Sequence, residues 1–123
     1  MKDIELQKRQ TAAMDKVLAD VRLERQRQRS LLGEQNWEMV SGESTRFMAE
    51  HMAISLKAVN DEANKHGYKL YWANIILEEI YEALAETDPD KQYVEAIQAA
   101  AVLVQIAEYL KRQRSINESN NRL

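Results

Sequence analysis

The segments EEIYE (residues 78–82) and EAIQ (residues 95–98) decide the fold of this chain, and both lie within the stretch from Trp72 to Leu110. Each segment holds two carboxylate or carboxamide side chains three residues apart, and residues at that spacing share one face of a helix. Between them, TDPD (residues 87–90) combines a helix stop with a helix start. Because helices joined by so short a turn run antiparallel, we expect the two polar pairs to face each other.

The facing pairs predict a cluster of oxygen ligands formed by Glu79, Glu82, Glu95 and Gln98. Three carboxylates around one point repel one another unless a cation lies between them, and an all-oxygen set suits Mg²⁺ or Mn²⁺ rather than zinc. Residues 96–107, AIQAAAVLVQIA, are apolar on nearly every side, which predicts a largely buried helix. The residues alone leave open an alternative, in which the glutamates form a solvated helix face and Gln98 is a hydrogen-bonded core amide.

Composition narrows the class of protein. The 123 residues suffice for one domain with a core, and the absence of cysteine excludes a disulfide framework, a thiol nucleophile and a cysteine-ligated metal. The net charge of −3 gives no electrostatic reason to expect a nucleic acid polymer as partner. No apolar run reaches the roughly 18 residues of a membrane span, and the first residues are polar. We therefore expect a cytoplasmic protein with no membrane partner.

The hydrophobic periodicity predicts four helices and no strands, hence an all-α antiparallel helical bundle built around a metal-binding hairpin. The helices are expected at about residues 3–31, 44–66, 72–86 and 89–114, with Ser44 or Thr45 as the N-cap of the second. Gly67 is expected to end the second helix, and Asp88 to cap the fourth. We predict a helical arm (residues 1–21), a helical domain (22–114) and a polar, frayed tail (115–123). The core positions expected on the second helix are Phe47, Met48, Met52, Ile54, Leu56 and Val59.

At this level of detail the chain resembles the MazG-like all-α nucleoside triphosphate pyrophosphohydrolases, in which EExxE and ExxD motifs lie on antiparallel helices. The resemblance extends to ERQRQ (residues 24–28), GEQN (33–36), Gly67 and Trp72. It continues through ILEE (76–79), EALAE (82–86) and the helix that begins with Glu95 and contains QAAAV (98–102). In order, these segments cover roughly residues 22–112 and are similar to a bacterial and phage MazG-like subgroup.

The resemblance implies a Mg²⁺-dependent enzyme, with Mn²⁺ as a possible substitute, that hydrolyses a nucleoside triphosphate to the monophosphate and pyrophosphate. By motif, Glu79, Glu82, Glu95 and Gln98 hold the metal, and Glu78 is the candidate catalytic residue. The candidate substrate-binding residues are Arg25, Arg29 and Trp72.

Two positions depart from the pattern of the family. Gln98 stands where the classical motif has Asp, which removes one negative charge from the site and predicts weaker activity. Trp37-Glu38-Met39 follows GEQN where the family usually has a turn of the His-Pro type. The alternative function is therefore a helical oligomer with a degenerate metal site that binds a nucleotide or a protein without hydrolysis. A third hypothesis is a purely structural oligomer that binds no metal.

The fourth helix is apolar over most of its circumference, and a chain of this length has little with which to cover it. This predicts a homodimer or homotetramer, and the family resemblance implies the same. Arg25 or Arg29 of a second copy would then reach the triphosphate.

Overall fold

The computed structural model describes residues 2–121, and these form four α-helices and no strand. They are α1 (Lys2–Leu32), α2 (Glu43–His66), α3 (Trp72–Ala85) and α4 (Pro89–Asn121). The all-α class predicted from the sequence is confirmed.

Two of the predicted helix ends, the end of α2 and the start of α4, are confirmed, each with a physical cause. Gly67 ends α2 in the left-handed conformation, with φ of 70°, and its N–H donates to the carbonyl of Ala63. A side chain would be strained at that φ, so glycine fits the position. Pro89 occupies the first position of α4, and the carboxylate of Asp88 accepts a hydrogen bond from the Lys91 N–H at 3.1 Å.

Two other predictions about helix ends are wrong. α2 begins at Glu43 with Gly42 at its N-cap and no side-chain capping bond, whereas the hydroxyls of Ser41 and Thr45 bond to each other at 2.9 Å. α4 does not end at Arg114 but continues to Asn121. The ion pair of Arg114 with Glu118, one turn further on, supports this extension because pairs at that spacing stabilise helices.

The chain divides into two units, and the first comprises Trp37–Leu103. In this unit α2 packs against α3, and the side chains buried in it are small. They are Ala49, Ala53 and Ala63 on α2, Ala83 on α3, Ala99 on α4, and one polar residue, Asn60. Small side chains allow helix axes to approach closely, so alanines line the contact while larger apolar residues project away from it.

The second unit comprises α1, the residues up to Asn36, and the part of α4 from Val104 onward. Val17 is its one buried residue among those described, with 5% of its surface exposed. Pairs such as Arg27 with Glu24, at 2.6 Å, cover the polar face of α1.

Large apolar side chains remain exposed throughout, which differs from the predicted core. Phe47, Met48 and Val59 on α2 are each about half exposed, and so are Val94 and Ile97 on α4. Among the described residues no large side chain is fully buried. The hydrophobic periodicity therefore predicted which faces of the helices are apolar. It did not predict that these faces remain uncovered within the described part of the chain.

Of the helices in the described range, α4 alone is long and apolar enough, by length and composition, to cross a membrane. Core helices of water-soluble proteins pass the same test.

Candidate metal centre

Three carboxylates meet where α3 approaches the start of α4. One oxygen each from Glu79, Glu82 and Glu95 lies within 4.8 Å of the others, and all three side chains are half-buried. The inner oxygens, Oε2 of Glu79 and Oε2 of Glu95, are buried and have no hydrogen-bond partner. The structure thus brings together the three glutamates that the i, i+3 spacing predicted.

The turn between α3 and α4 holds this arrangement in place. The Gln92 side-chain amide donates to the carbonyls of Ala83 at 2.9 Å and Glu86 at 3.1 Å, which ties the first turn of α4 to the end of α3. The Glu86 carboxylate accepts from the N–H groups of Thr87 and Asp88, both at 3.1 Å. Because these bonds use main-chain groups that end one helix and precede the next, the spacing between the carboxylates is fixed locally.

Burial and mutual repulsion favour the neutral forms of two of the carboxyl groups. Burial raises the pKa of Glu79, and the charges of Glu78 and Glu95 raise it further. Burial also raises the pKa of Glu82 to about 7, together with the charges of Glu79, Glu78 and Glu95 and a hydrogen bond to the Glu95 carboxyl. Near neutral pH the Glu82 carboxyl group is therefore partly protonated in the absence of another cation.

The residues fit a hard divalent cation. Mg²⁺ binds oxygen at 2.0–2.1 Å in octahedral geometry, so adjacent ligands lie about 3 Å apart and opposite ones about 4 Å apart. Carboxylate oxygens within 4.8 Å of one another would move closer together to reach these spacings around a bound ion. The two buried oxygens without partners are the atoms such an ion would satisfy.

Two further residues of the predicted set flank the cluster. Glu78 is half-buried, and its charge contributes to the raised pKa of both Glu79 and Glu82. Gln98, one turn after Glu95, is exposed. Glu78 is thus electrostatically part of the site, whereas a direct role for Gln98 remains a prediction.

The predicted substrate-binding residues lie in different parts of the chain. Trp72 is the first residue of α3 and is half-buried. Arg25 and Arg29 are exposed on α1, which belongs to the other unit, and Arg25 donates to the Gln28 side chain at 2.9 Å. A role for the two arginines in substrate binding stays a prediction.

A set of residues on α2 that was not predicted from the sequence adjoins the carboxylates. Arg46, Glu50, Ile54 and Lys57 recur at intervals of three or four, so they share one helix face, and that face lines a groove with Glu82 and Glu95. The spacing was visible in the sequence, but which helix this face meets was not.

Buried Asn60 is a second missed feature. Its side chain is 4% exposed and donates to the Asn74 carbonyl at 3.3 Å, while its own carbonyl oxygen has no partner. The bond links α2 to the start of α3, one turn before Glu78.

No known protein family, no curated protein and no solved structure matches this chain.

The raised pKa of Glu82 makes the stability of the metal-free protein depend on pH. Between the ordinary value of 4.5 and about 7, the folded state binds a proton that the unfolded chain does not, so stability falls as pH rises through 7. With allowance for partial exposure, we expect a loss of about 1 kcal/mol between pH 5 and 8, or about 4 °C in Tm. Thermal unfolding in a chelator, at both pH values, measures the loss. In Glu82→Gln the loss should shrink to the part that Glu79 contributes, and an equal loss in that variant would contradict the assignment.

The role of Gln98 is tested by adding a charge. If its side chain ligates the cation, Gln98→Asp should tighten Mg²⁺ binding about tenfold or more, because a carboxylate adds a charge that the amide lacks. The same charge would lower the Tm of the metal-free protein by adding to the existing repulsion. Calorimetric titration with Mg²⁺ and Mn²⁺ gives the affinities. Equal affinities in wild type and variant would remove Gln98 from the ligand set.

Proposed function

We propose that this protein is a metal-dependent nucleoside triphosphate pyrophosphohydrolase, converting a nucleoside triphosphate and water to the monophosphate and pyrophosphate. The observation that carries the proposal is the cluster of Glu79, Glu82 and Glu95, with two buried oxygens that have no partner. The ordered resemblance to MazG-like enzymes, described above from the sequence, supports the same reaction.

In this proposal the three clustered carboxylates hold the cation, and Glu78 acts on the attacking water. Mg²⁺, when bound, supplies charge neutralisation at the phosphate oxygens and lowers the pKa of water. The half-buried Glu78 carboxylate orients the water and accepts its proton. The water oxygen forms a bond to the α-phosphorus, the bond from that phosphorus to the bridging oxygen breaks, and pyrophosphate leaves. No side chain becomes covalently attached.

The proposed assembly is a helical bundle of two or more copies, because the exposed apolar faces of α2 and α4 need a cover. The proposed location is the cytoplasm, where free Mg²⁺ and nucleoside triphosphates are both present.

The second candidate is a helical oligomer that binds a nucleotide or a protein without hydrolysing anything. The observation that favours it is Gln98, an exposed amide where the classical motif has a carboxylate, so that three carboxylates stand in place of four. A site with fewer charges holds its cation more weakly and neutralises less of the charge on the phosphates.

A panel of ribo- and deoxyribonucleoside triphosphates separates the two candidates. Each is incubated with the protein and Mg²⁺ or Mn²⁺, and pyrophosphate is measured by coupling to a pyrophosphatase. We expect release with at least one triphosphate, abolished by a chelator and accompanied by equal amounts of monophosphate. Saturable nucleotide binding with no release would favour the second candidate. Release of single phosphate in place of pyrophosphate would contradict the proposed bond cleavage.

A further inference from the structure

We propose that Arg46 and Lys57 of α2 bind the phosphate chain of the substrate, in a groove beside the carboxylate cluster. This inference rests on the proposed function and adds to it the residues that hold the phosphates.

The groove lies within the unit Trp37–Leu103, between one face of α2 and the helices that carry the carboxylates. From α2 it is lined by Arg46, Glu50, Ala53, Ile54 and Lys57, and from the other side by Glu82, Ala85, Glu86 and Glu95. Two cationic side chains thus line the same space as two of the three proposed metal ligands. A phosphate held by the cations would lie next to the metal site.

The two cations have only weak partners within the described residues. Arg46 lies 3.9 Å from the Glu50 carboxylate, and Lys57 lies 3.5 Å from Asp61, in a pair whose side chains are both 64% exposed. Exposed pairs one helical turn apart contribute a few tenths of a kcal/mol, so a phosphate displaces them at little cost. Neither cation forms an ion pair with Glu82 or Glu95, so they are not the counter-charges of the cluster.

Arg46 is better placed than Lys57 to bind tightly. Its side chain is 25% exposed, and its guanidinium lies 4.8 Å from the centre of the Phe47 ring. A guanidinium held in this way binds phosphate oxygens through two parallel N–H donors, whereas an ammonium acts as a point charge. We therefore assign the larger share of phosphate binding to Arg46.

The groove is large enough for a phosphate chain, with a volume of about 350 Å³ within the roughly 300–1,000 Å³ range for small-molecule sites. Because the proposed contacts are made by the two cations and the metal ligands, they involve phosphate groups alone. Inorganic triphosphate should therefore bind with much of the affinity of the nucleotide.

The charges that line the groove predict that the metal ion binds before the triphosphate. Four carboxylates line the groove, those of Glu50, Glu82, Glu86 and Glu95, against the two cations. A polyanion is repelled by that balance until a divalent cation neutralises the cluster. Triphosphate binding should therefore require Mg²⁺ or Mn²⁺, whereas metal binding should not require triphosphate.

The test uses calorimetric titration with inorganic triphosphate in saturating Mn²⁺, together with KM and kcat for the best triphosphate substrate. Charge-assisted bonds to phosphate contribute about 1.5–3 kcal/mol, so Arg46→Gln should weaken triphosphate binding and raise KM about tenfold or more. Lys57→Gln should weaken triphosphate binding and raise KM about threefold, as expected of an exposed charge. Arg46→Lys, which keeps the charge and loses the planar fork, should lie between Arg46→Gln and wild type.

The control is Lys65→Gln, an equal loss of charge near the end of α2 and outside the groove, which should leave both quantities unchanged. Mn²⁺ affinity, titrated separately, should be the same in all four variants. If the wild type hydrolyses a triphosphate and neither Arg46→Gln nor Lys57→Gln changes KM, this inference is overturned and the proposed function stands. If the wild type binds triphosphate in a metal-dependent way without hydrolysing it, and these variants weaken the binding, the inference is supported and the proposed function is overturned. Absence of both binding and hydrolysis would overturn both.

Discussion

Glu95→Gln is expected to abolish the rise in Tm that Mg²⁺ produces in the wild-type protein, and Glu79→Gln should do the same. Each variant replaces a carboxylate whose inner oxygen is buried without a partner, so each removes both a charge and a ligand from the cluster. Loss of residues that only support metal ligands costs 10–100-fold in affinity or activity, so loss of a ligand should lower hydrolysis by about 100-fold or more. Thermal shift with and without millimolar Mg²⁺ or Mn²⁺, and pyrophosphate release, measure the two effects.

A second consequence distinguishes a metal ligand from a structural glutamate. In the metal-free protein, Glu95→Gln removes one of the charges that repel in the cluster, so its Tm should rise slightly above that of wild type. A structural glutamate would give the opposite sign. Asp90→Asn serves as control because Asp90 is exposed in the first turn of the same helix. If wild type shows no response to either ion, the metal site does not exist.

The protein is expected to be a dimer or tetramer in solution, with a mass that is a multiple of 14.3 kDa. Within the unit Trp37–Leu103, large apolar side chains are about half exposed, among them Phe47 and Met48 on α2 and Val94 and Ile97 on α4. Apolar side chains clustered on helix faces mark surfaces that other protein copies cover.

Light scattering at micromolar concentration measures the mass directly. Ile97 on α4 is 52% exposed, and Ile97→Glu places a charge on the apolar face of that helix, so the assembly should dissociate or weaken about tenfold or more. Asn64→Glu adds the same charge at an exposed polar position on α2 and should leave the mass unchanged. A wild-type mass of 14.3 kDa would rule out the assembly. Co-flotation of the protein with lipid vesicles would assign the apolar face to a membrane instead.

The sequence alone predicted the helices well because their ends carry explicit signals. Gly67, Asp88 and Pro89 act through their own backbone preferences or capping bonds, and those do not depend on distant residues. The end of α4 at Asn121 could not be predicted in this way, because residues 115–121 are polar and carry no signal for the end of a helix. Helix formation there depends on local pairs such as Arg114 with Glu118, which leave no hydrophobic pattern.

The candidate site, too, was predictable only where it depends on residues close together in the sequence. Glu79, Glu82 and Glu95 were predictable because spacing within a helix and a three-residue connection between helices suffice to bring them together. The contribution of α2 was not, because the groove depends on which face of α2 meets α3, and that choice follows from buried alanines rather than from the larger apolar residues. Alanine is common on any helix face, so it does not mark a contact in the sequence.

The short path between the ligands also bears on how the chain folds. Glu82 and Glu95 lie thirteen positions apart in the sequence, and the turn between them is held by its own hydrogen bonds. Contacts so close in sequence require little loop closure and form early in folding. The carboxylates would therefore come together while most of the chain is still unfolded, and their repulsion would slow the first step. A proton or a divalent cation that relieves the repulsion should then accelerate folding, in addition to slowing unfolding.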